Sequence, residues 1–378
     1  MPLIHEPLRR VVALIRKESI QIIRDPSAIL ITVLLPILLL FLYGTGVSLD
    51  LDHLRIGLVM EDTAPDAQSF AKSLVDSRYF DVKIVRDRRE VFEDLEAGRI
   101  RGFVVIPSYF SEFRRQPSKT APIQVIADGS EPNTANFVQN YVQGAFSNWL
   151  SQEAISSDLK GLPLITAEPR FWYNETLESR YFLLSGSVAI IMTLIGTLLT
   201  ALVVSREWER GTMEGLLSTP VGKWEIVGGK TIPYFFLGMI SMAICVFVST
   251  VFYGLPFRGS WLTLVFVSSC FLFCAVETGL YISLLSKIQI VACQISVMIG
   301  FLPAYILSGF LFEISSMPLW IQILTYFLPA RYFVQSLQTL FLVGNVWDLL
   351  LKNSATMLLM AVALLFLISR KVAKRLNG

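Results

Sequence analysis

Uncharged runs of 17 to 27 residues alternate with short charged stretches along most of this chain. A helix needs about 20 apolar residues to cross the hydrocarbon core of a bilayer. The runs therefore predict six spans, at 28–49, 181–205, 229–254, 260–286, 288–312 and 349–369. Glu277 alone interrupts the fourth with a charge. Between the fifth and sixth, residues 313–348 are mostly apolar but broken by Pro318, Pro329 and Arg331. That pattern predicts one or two short re-entrant or interfacial helices. Ahead of the first span, in the segment 1–27, Leu8, Val11, Val12, Ile15 and Ile22 recur at helical spacing while Arg9, Arg16 and Lys17 turn elsewhere. This is the pattern of an amphipathic helix on a membrane surface. Asp25 then suits an N-cap and Pro26 a first helical position, turning the chain into the bilayer. The charged lead is too long for a signal peptide, so the first span reads as an uncleaved anchor.

Residues 50–180 have another character. They hold 15 of the 32 basic and 20 of the 30 acidic residues. Short β-rich runs at 55–60, 80–85, 102–107 and 122–127 alternate with helical segments at 67–76 and 89–98. A longer helix over 133–157 leads back toward the membrane. Strands alternating with helices predict a small α/β domain with a partly parallel sheet. The expected fold is thus a polytopic α-helical membrane protein, with six transmembrane helices and a periplasmic α/β domain inserted between helices 1 and 2.

Charge distribution sets the orientation. Lys and Arg number 14 across residues 1–28, the 206–230 stretch, Lys287 and the tail from Arg370. The opposite loops hold only Arg258, Arg331 and Lys352. The excess places both termini, the 206–228 loop and the basic 370–378 tail on the cytoplasmic side. Hydrophobic residues make up 53% of the chain and the mean hydropathy is +0.58, which excludes an ordinary soluble enzyme. The four cysteines lie inside apolar runs and only two histidines exist, so neither a disulfide framework nor a His-based metal or catalytic site is expected. Nothing points to a nucleic-acid partner; the expected surroundings are membrane lipids.

The stretch 206–230, REWERGTMEGLLSTPVGKWEIVGGK, carries eight Arg, Lys or Glu in 25 residues between two spans. Its end, GGKT, resembles part of a phosphate-binding loop. The required earlier glycine is Trp224, however, so no ATP site is expected there. Met213, Leu216 and Leu217 mark an apolar side, and Arg206, Glu207, Glu209, Arg210 and Glu214 a charged one. Such a helix can seat in the groove of a soluble partner, with charges fixing register. Glu277 is the one acid deep in a span, and burying its charge costs about 3 kcal/mol or more. It can be a substrate or ion contact, or a hydrogen-bonded residue at a helix interface.

The 206–220 stretch closely resembles the signature of ABC-2 type transporter permeases, Glu-x-Glu-Arg-Gly-Thr-Met-Glu-x-Leu-Leu-x-Thr-Pro. KESIQIIRDPS at 17–27, DGSEPNTANF at 128–137 and FLPARYF at 327–333 support it. The layout looks most like the bacterial drug-export branch with a large periplasmic domain, in the cell inner membrane. The resemblance implies that Arg206, Glu207, Glu209, Arg210, Met213, Glu214 and Leu217 belong to a coupling helix that contacts a separate ABC ATP-binding subunit. ATP and Mg would be bound there and no cofactor in this chain. It also implies a dimer of identical or paralogous permeases, and a periplasmic adaptor in some assemblies. Gly186, Gly196, Gly300 and Gly309 are candidates for the dimer interface or the transport path. Glu277 departs from a purely apolar path. Drug export, sodium or other cation efflux, and a non-transporting sensor or scaffold all remain open at this point.

Overall fold

The computed structural model describes residues 5–46, 53–114, 123–130, 132–156 and 179–376. They fall into two compact units, Leu49–Pro169 and the remainder of the chain. Among the described residues of the larger unit six helices are long and apolar enough to cross a membrane: Pro26–Gly46, Ser179–Glu209, Lys223–Phe252, Trp261–Ser286, Gln289–Leu307 and Trp347–Lys371. The chain is thus a multi-pass helical membrane protein. The second and fourth spans are 83% and 67% buried, and the other four a third or less, so these two form the centre of the bundle.

Small residues explain why the second span sits inside. A Cβ on Gly196 would meet Ala275 of the fourth span at 2.7 Å, and one on Gly186 would meet Phe310 at 2.5 Å. In lipid, helices associate through such close packing rather than through hydrophobicity. The tightest approach is Gly279, whose missing Cβ would lie 2.3 Å from the Thr197 carbonyl oxygen. The peripheral spans instead present large apolar side chains outward, among them Phe41, Phe247, Ile299 and Leu359, to the surface that lipid covers.

Two short helices, Leu319–Thr325 and Pro329–Gln338, occupy the segment before the sixth span. At seven and ten residues neither can cross a bilayer. The first leaves Leu319, Trp320, Ile323 and Leu324 exposed, a face suited to the membrane interface. The second is fixed to the fourth span by Phe333, which stacks on Phe271 at 3.9 Å between ring centres.

Two span boundaries differ from the sequence-based expectation. The second span runs on to Glu209, so Arg206, Glu207 and Glu209 belong to its last turn and not to a separate helix. These charges continue the helix because each finds a partner, as described below. Likewise the third span begins at Lys223, where the Glu225 carboxylate accepts from the Gly222 N–H at 2.9 Å. That bond satisfies one of the donors a helix start leaves open.

The smaller unit is a four-stranded sheet in the order β2–β1–β3–β4, with β1 Leu54–Met60, β2 Phe80–Val85, β3 Gly102–Ile106 and β4 Gln124–Ala127. β1 pairs in parallel with β2 and β3, while β4 runs antiparallel to β3 at the edge. Helices Pro65–Val75 and Arg88–Glu96 make the crossovers. Successive residues of β3 feed opposite faces. Val104 and Ile106 pack with Phe70, Phe110 and Trp149; Phe103 and Val105 pack with Val59, Val91 and Ile100. Covering both faces is what makes the central strands apolar throughout. The Asp94 carboxylate, bonded by Lys83 and Arg99 at 2.6 Å each, is held below the usual carboxylate range by those two cations.

Gly279→Ala should lower the thermal unfolding midpoint of the detergent-solubilised chain, by the ~1–3 kcal/mol typical of overpacking. Nothing lies within 4 Å of a Cβ on Gly228, so Gly228→Ala should leave the midpoint unchanged or raise it. Equal midpoints for the two variants would contradict the close packing of the second and fourth spans.

Candidate functional site

The N-terminal helix, His5–Ile23, crosses the start of the third span, with the Leu14 Cβ 2.7 Å from where a Gly229 Cβ would stand. Glu18 sits on the same face, and this acid is only 1% exposed. Lys230, at 2%, and Glu207, at 3%, are buried with it. Lys230 Nζ donates to Glu18 Oε1 at 3.1 Å and to Glu207 Oε2. Lys17, half exposed, donates to Glu18 Oε1 at 3.0 Å and to Glu207 Oε1. The Tyr234 hydroxyl reaches Glu18 Oε2 at 3.4 Å. Two carboxylates and two ammonium groups thus join three helices in one neutral cluster. Partial burial disfavours the Lys17 charge, but hydrogen bonds and attraction from Glu207 and Glu18 outweigh it and raise its pKa above the ordinary lysine value. Lys17 therefore stays charged throughout the physiological range.

A second contact lies beside the first. Asp25 caps the first span, accepting from the Ser27 N–H at 3.1 Å with Pro26 next in line. Arg206 donates to Asp25 and, at 3.1 Å, to Ser27 Oγ. Partial burial works against the Asp25 charge, yet the Ser27 and Arg206 bonds prevail and hold its carboxyl below the usual range. Glu209 Oε1 accepts from the Gln289 N–H at 2.9 Å, placing a negative charge at the first turn of the fifth span. Arg10 donates to the Pro220 carbonyl at 2.6 Å.

Past Glu209 the chain turns at Gly211, where φ is +69°, a left-handed conformation natural to glycine. A short helix, Thr212–Leu217, follows. Of the residues expected to face a partner, Arg206, Glu207 and Glu209 make internal bonds, and Met213 is 2% exposed. Arg210 and Glu214 are the two whose side chains stand exposed and make no side-chain bond among the described residues. The Leu217 side chain lies outside the described residues. A signal for the internal role existed in the sequence: Glu18 interrupts the row Val11, Ile15, Ile22. Lys230, in the rejected GGKT motif, gave no comparable sign.

The remaining candidates separate. Glu277 is fully buried; its Oε1 accepts from Thr231 Oγ1 at 2.7 Å and its Oε2 has no partner among the described residues. Thr231 adjoins Lys230, so Glu277 faces the third span. Gly186 and Gly196 meet residues of their own chain, as does Gly300, where a Cβ would lie 3.1 Å from Thr197 Oγ1. Gly309 ends the fifth span with φ +87°. The close approaches of these glycines are made within one chain.

A sequence profile of ABC-2 family transporter proteins matches residues 26–370. The chain belongs to that family; it is the permease subunit of an ABC exporter, a class that works with an ATP-binding subunit. It is 47% identical over 369 residues, 98% of each chain, to the probable multidrug ABC transporter permease YbhS of Escherichia coli. It is 29% identical to the probable multidrug ABC transporter permease YbhR of the same organism, over 92% of this chain and 96% of the other. The linearmycin resistance permease protein LnrN of Bacillus subtilis is 22% identical over 91% of this chain and 94% of its own length.

Removing one partner of a buried ion pair leaves an uncompensated charge and costs about 3–5 kcal/mol. Lys230→Met should therefore destabilise the chain by that order in thermal unfolding. Adding Glu207→Gln to it should recover part of the loss. A Lys230→Met midpoint equal to that of the unaltered chain would show that the cluster does not hold these helices.

Proposed function

We propose that the chain exports drugs or other amphiphilic compounds across a bacterial inner membrane, driven by ATP that a separate subunit binds with Mg and hydrolyses. The observation that carries this reading is the short helix Thr212–Leu217 set on the end of the second span, with Arg210 and Glu214 exposed beside it and the Glu18–Lys230–Glu207 cluster behind it. A partner that pushes on this helix pushes on a junction of three helices and not on a loose loop. The near full-length likeness to permeases named for multidrug transport supports the substrate class.

In this reading both termini are cytoplasmic, and the α/β unit stands in the periplasm, where an adaptor protein can attach. Two permeases, identical or paralogous, form a dimer of twelve spans. ATP binding closes the ATPase subunits and moves the paired helices as rigid bodies, changing the packing around the transport path. The chain itself hydrolyses nothing. Its contribution is the path and the coupling surface.

ATP hydrolysis in lipid vesicles tests this. The chain alone should show none, and the chain with the ATPase encoded beside it should show activity that drugs stimulate. Reversing charge with Arg210→Glu and Glu214→Lys together should cut the stimulated rate about tenfold, the effect of about 1.4 kcal/mol of lost contact. The unfolding midpoint should stay unchanged. Full activity in that variant would remove the coupling surface from the reading.

ATP-driven sodium or other cation efflux is the second reading, and the unpartnered Oε2 of Glu277 favours it. It requires Glu277→Gln to abolish transport, whereas drug export requires only a change in which compounds move. Uptake of radioactive sodium by inverted vesicles, beside drug accumulation in the same vesicles, separates the two.

A further inference from the structure

A cavity of ≈ 320 Å³ opens among the second, fourth, fifth and sixth spans. Thr193 and Thr197 line it from the second span, Cys274 and Thr278 from the fourth, Gly300 from the fifth and Ala363 from the sixth. All lie away from the ends of their helices, at the depth of the hydrocarbon core. Its volume is at the lower end of the roughly 300–1,000 Å³ range of small-molecule sites. The cavity exists partly because residue 300 is glycine within a wide π-type turn at Ser296–Phe301; a side chain there would press on Thr197.

Its mouth faces sideways. Ile299 is 63% exposed and Phe327, at the turn before Pro329, is 76% exposed; Ala363 beside them is exposed as well. These residues belong to the apolar outer surface that the bilayer covers, so the route in is from lipid. No Asp, Glu, Lys, Arg or His lines the cavity. Its polarity comes from three threonines, and each has already spent its proton. Thr193 Oγ1 donates to the Ala189 carbonyl at 2.8 Å, Thr197 Oγ1 to the Thr193 carbonyl at 2.7 Å, and Thr278 Oγ1 to the Cys274 carbonyl at 2.8 Å. A hydroxyl bonded in this way keeps lone pairs and lacks a free donor. The hydroxyl side chains of the wall accept hydrogen bonds and do not give them.

We propose that this cavity binds an uncharged, largely apolar molecule bearing an N–H or O–H donor, which enters from the bilayer and donates to the threonines. As a step in transport the site rests on the export reading above; as a binding site it stands without it. A phospholipid acyl chain, lacking a donor, is the alternative occupant that the test separates.

The full chain, assembled with its ATP-binding subunit in lipid nanodiscs without ATP, carries Ala363→Cys as a thiol at the mouth. N-phenylmaleimide alkylation of that thiol and of Cys293, which does not line the cavity, is followed by mass spectrometry. The probe is N-phenyl-1-naphthylamine, apolar with one N–H; its N-methylated analogue has none. The amine should slow alkylation at position 363 and leave Cys293 unchanged. The analogue should need about fivefold more for the same protection, the worth of one hydrogen bond. Thr197→Val should erase that difference. Equal slowing at both thiols would mean partition into lipid only, no slowing would mean no site, and equal potency of amine and analogue would mean an acyl-chain slot. Each of these overturns the proposal. Because no ATP is used, failure of ATP-driven export leaves the binding result intact, and the reverse also holds.

Discussion

Lys230 is an ammonium group almost wholly removed from solvent, and its position is tolerable only while Glu18 and Glu207 both face it. That requirement fixes three otherwise separate pieces: the N-terminal helix, the end of the second span and the start of the third. The N-terminal helix keeps Leu8, Val12 and Ile23 outward and adds Ile22 to the small apolar cluster with Leu199, Val203 and Tyr234. The desolvation of such a cluster consumes most of what its attractions return, so its value lies in specifying one arrangement. Arg206 with Asp25 extends the same arrangement to the first span, and Glu209 with Gln289 to the fifth.

The consequence for transport is mechanical. The second span is the most buried helix of the bundle and also the one that carries the turn toward the partner. In the proposed cycle, movement delivered at the Glu209 end passes along a helix that is largely buried and closely packed at Gly186 and Gly196. The cavity lies on that same helix, through Thr193 and Thr197, about midway along it. In the proposed cycle, force and ligand meet on one element, with the fourth span as its constant neighbour.

Much of this was legible in the sequence, for physical reasons that differ from part to part. The six spans follow from the length of apolar runs, because a bilayer demands that length. The cap at Asp25 and Pro26 is a local rule met locally. The α/β unit shows in alternating β-rich and helical segments, with β1 and β3 apolar on both faces because helices cover both. The ion cluster was not legible in the same way. Lys17 and Glu207 are 190 residues apart and Lys230 and Glu18 are 212 apart, so no local period reveals their pairing. Charges expected to face a partner were therefore found facing one another. Gly186, Gly196 and Gly300 were expected at a dimer interface or the transport path, and the sequence could not name their neighbours within the chain as Phe310, Ala275 and Thr197. Gly279, the tightest among the described spans, sits in one where nothing in the pattern sets it apart.

Gly211 has open space where a Cβ would be, so its neighbours do not explain why it is glycine. The backbone does: a positive φ ends the second span and aims the next six residues in a new direction. An L-residue there would favour a helix continuing straight from Glu209 to Leu217, with Glu214 carried to a different side of the axis. In the proposed coupling, the angle at which the two proteins meet is thus set by one torsion at Gly211. Divergence among paralogous permeases in their choice of ATPase could proceed through this joint without altering a single contact residue.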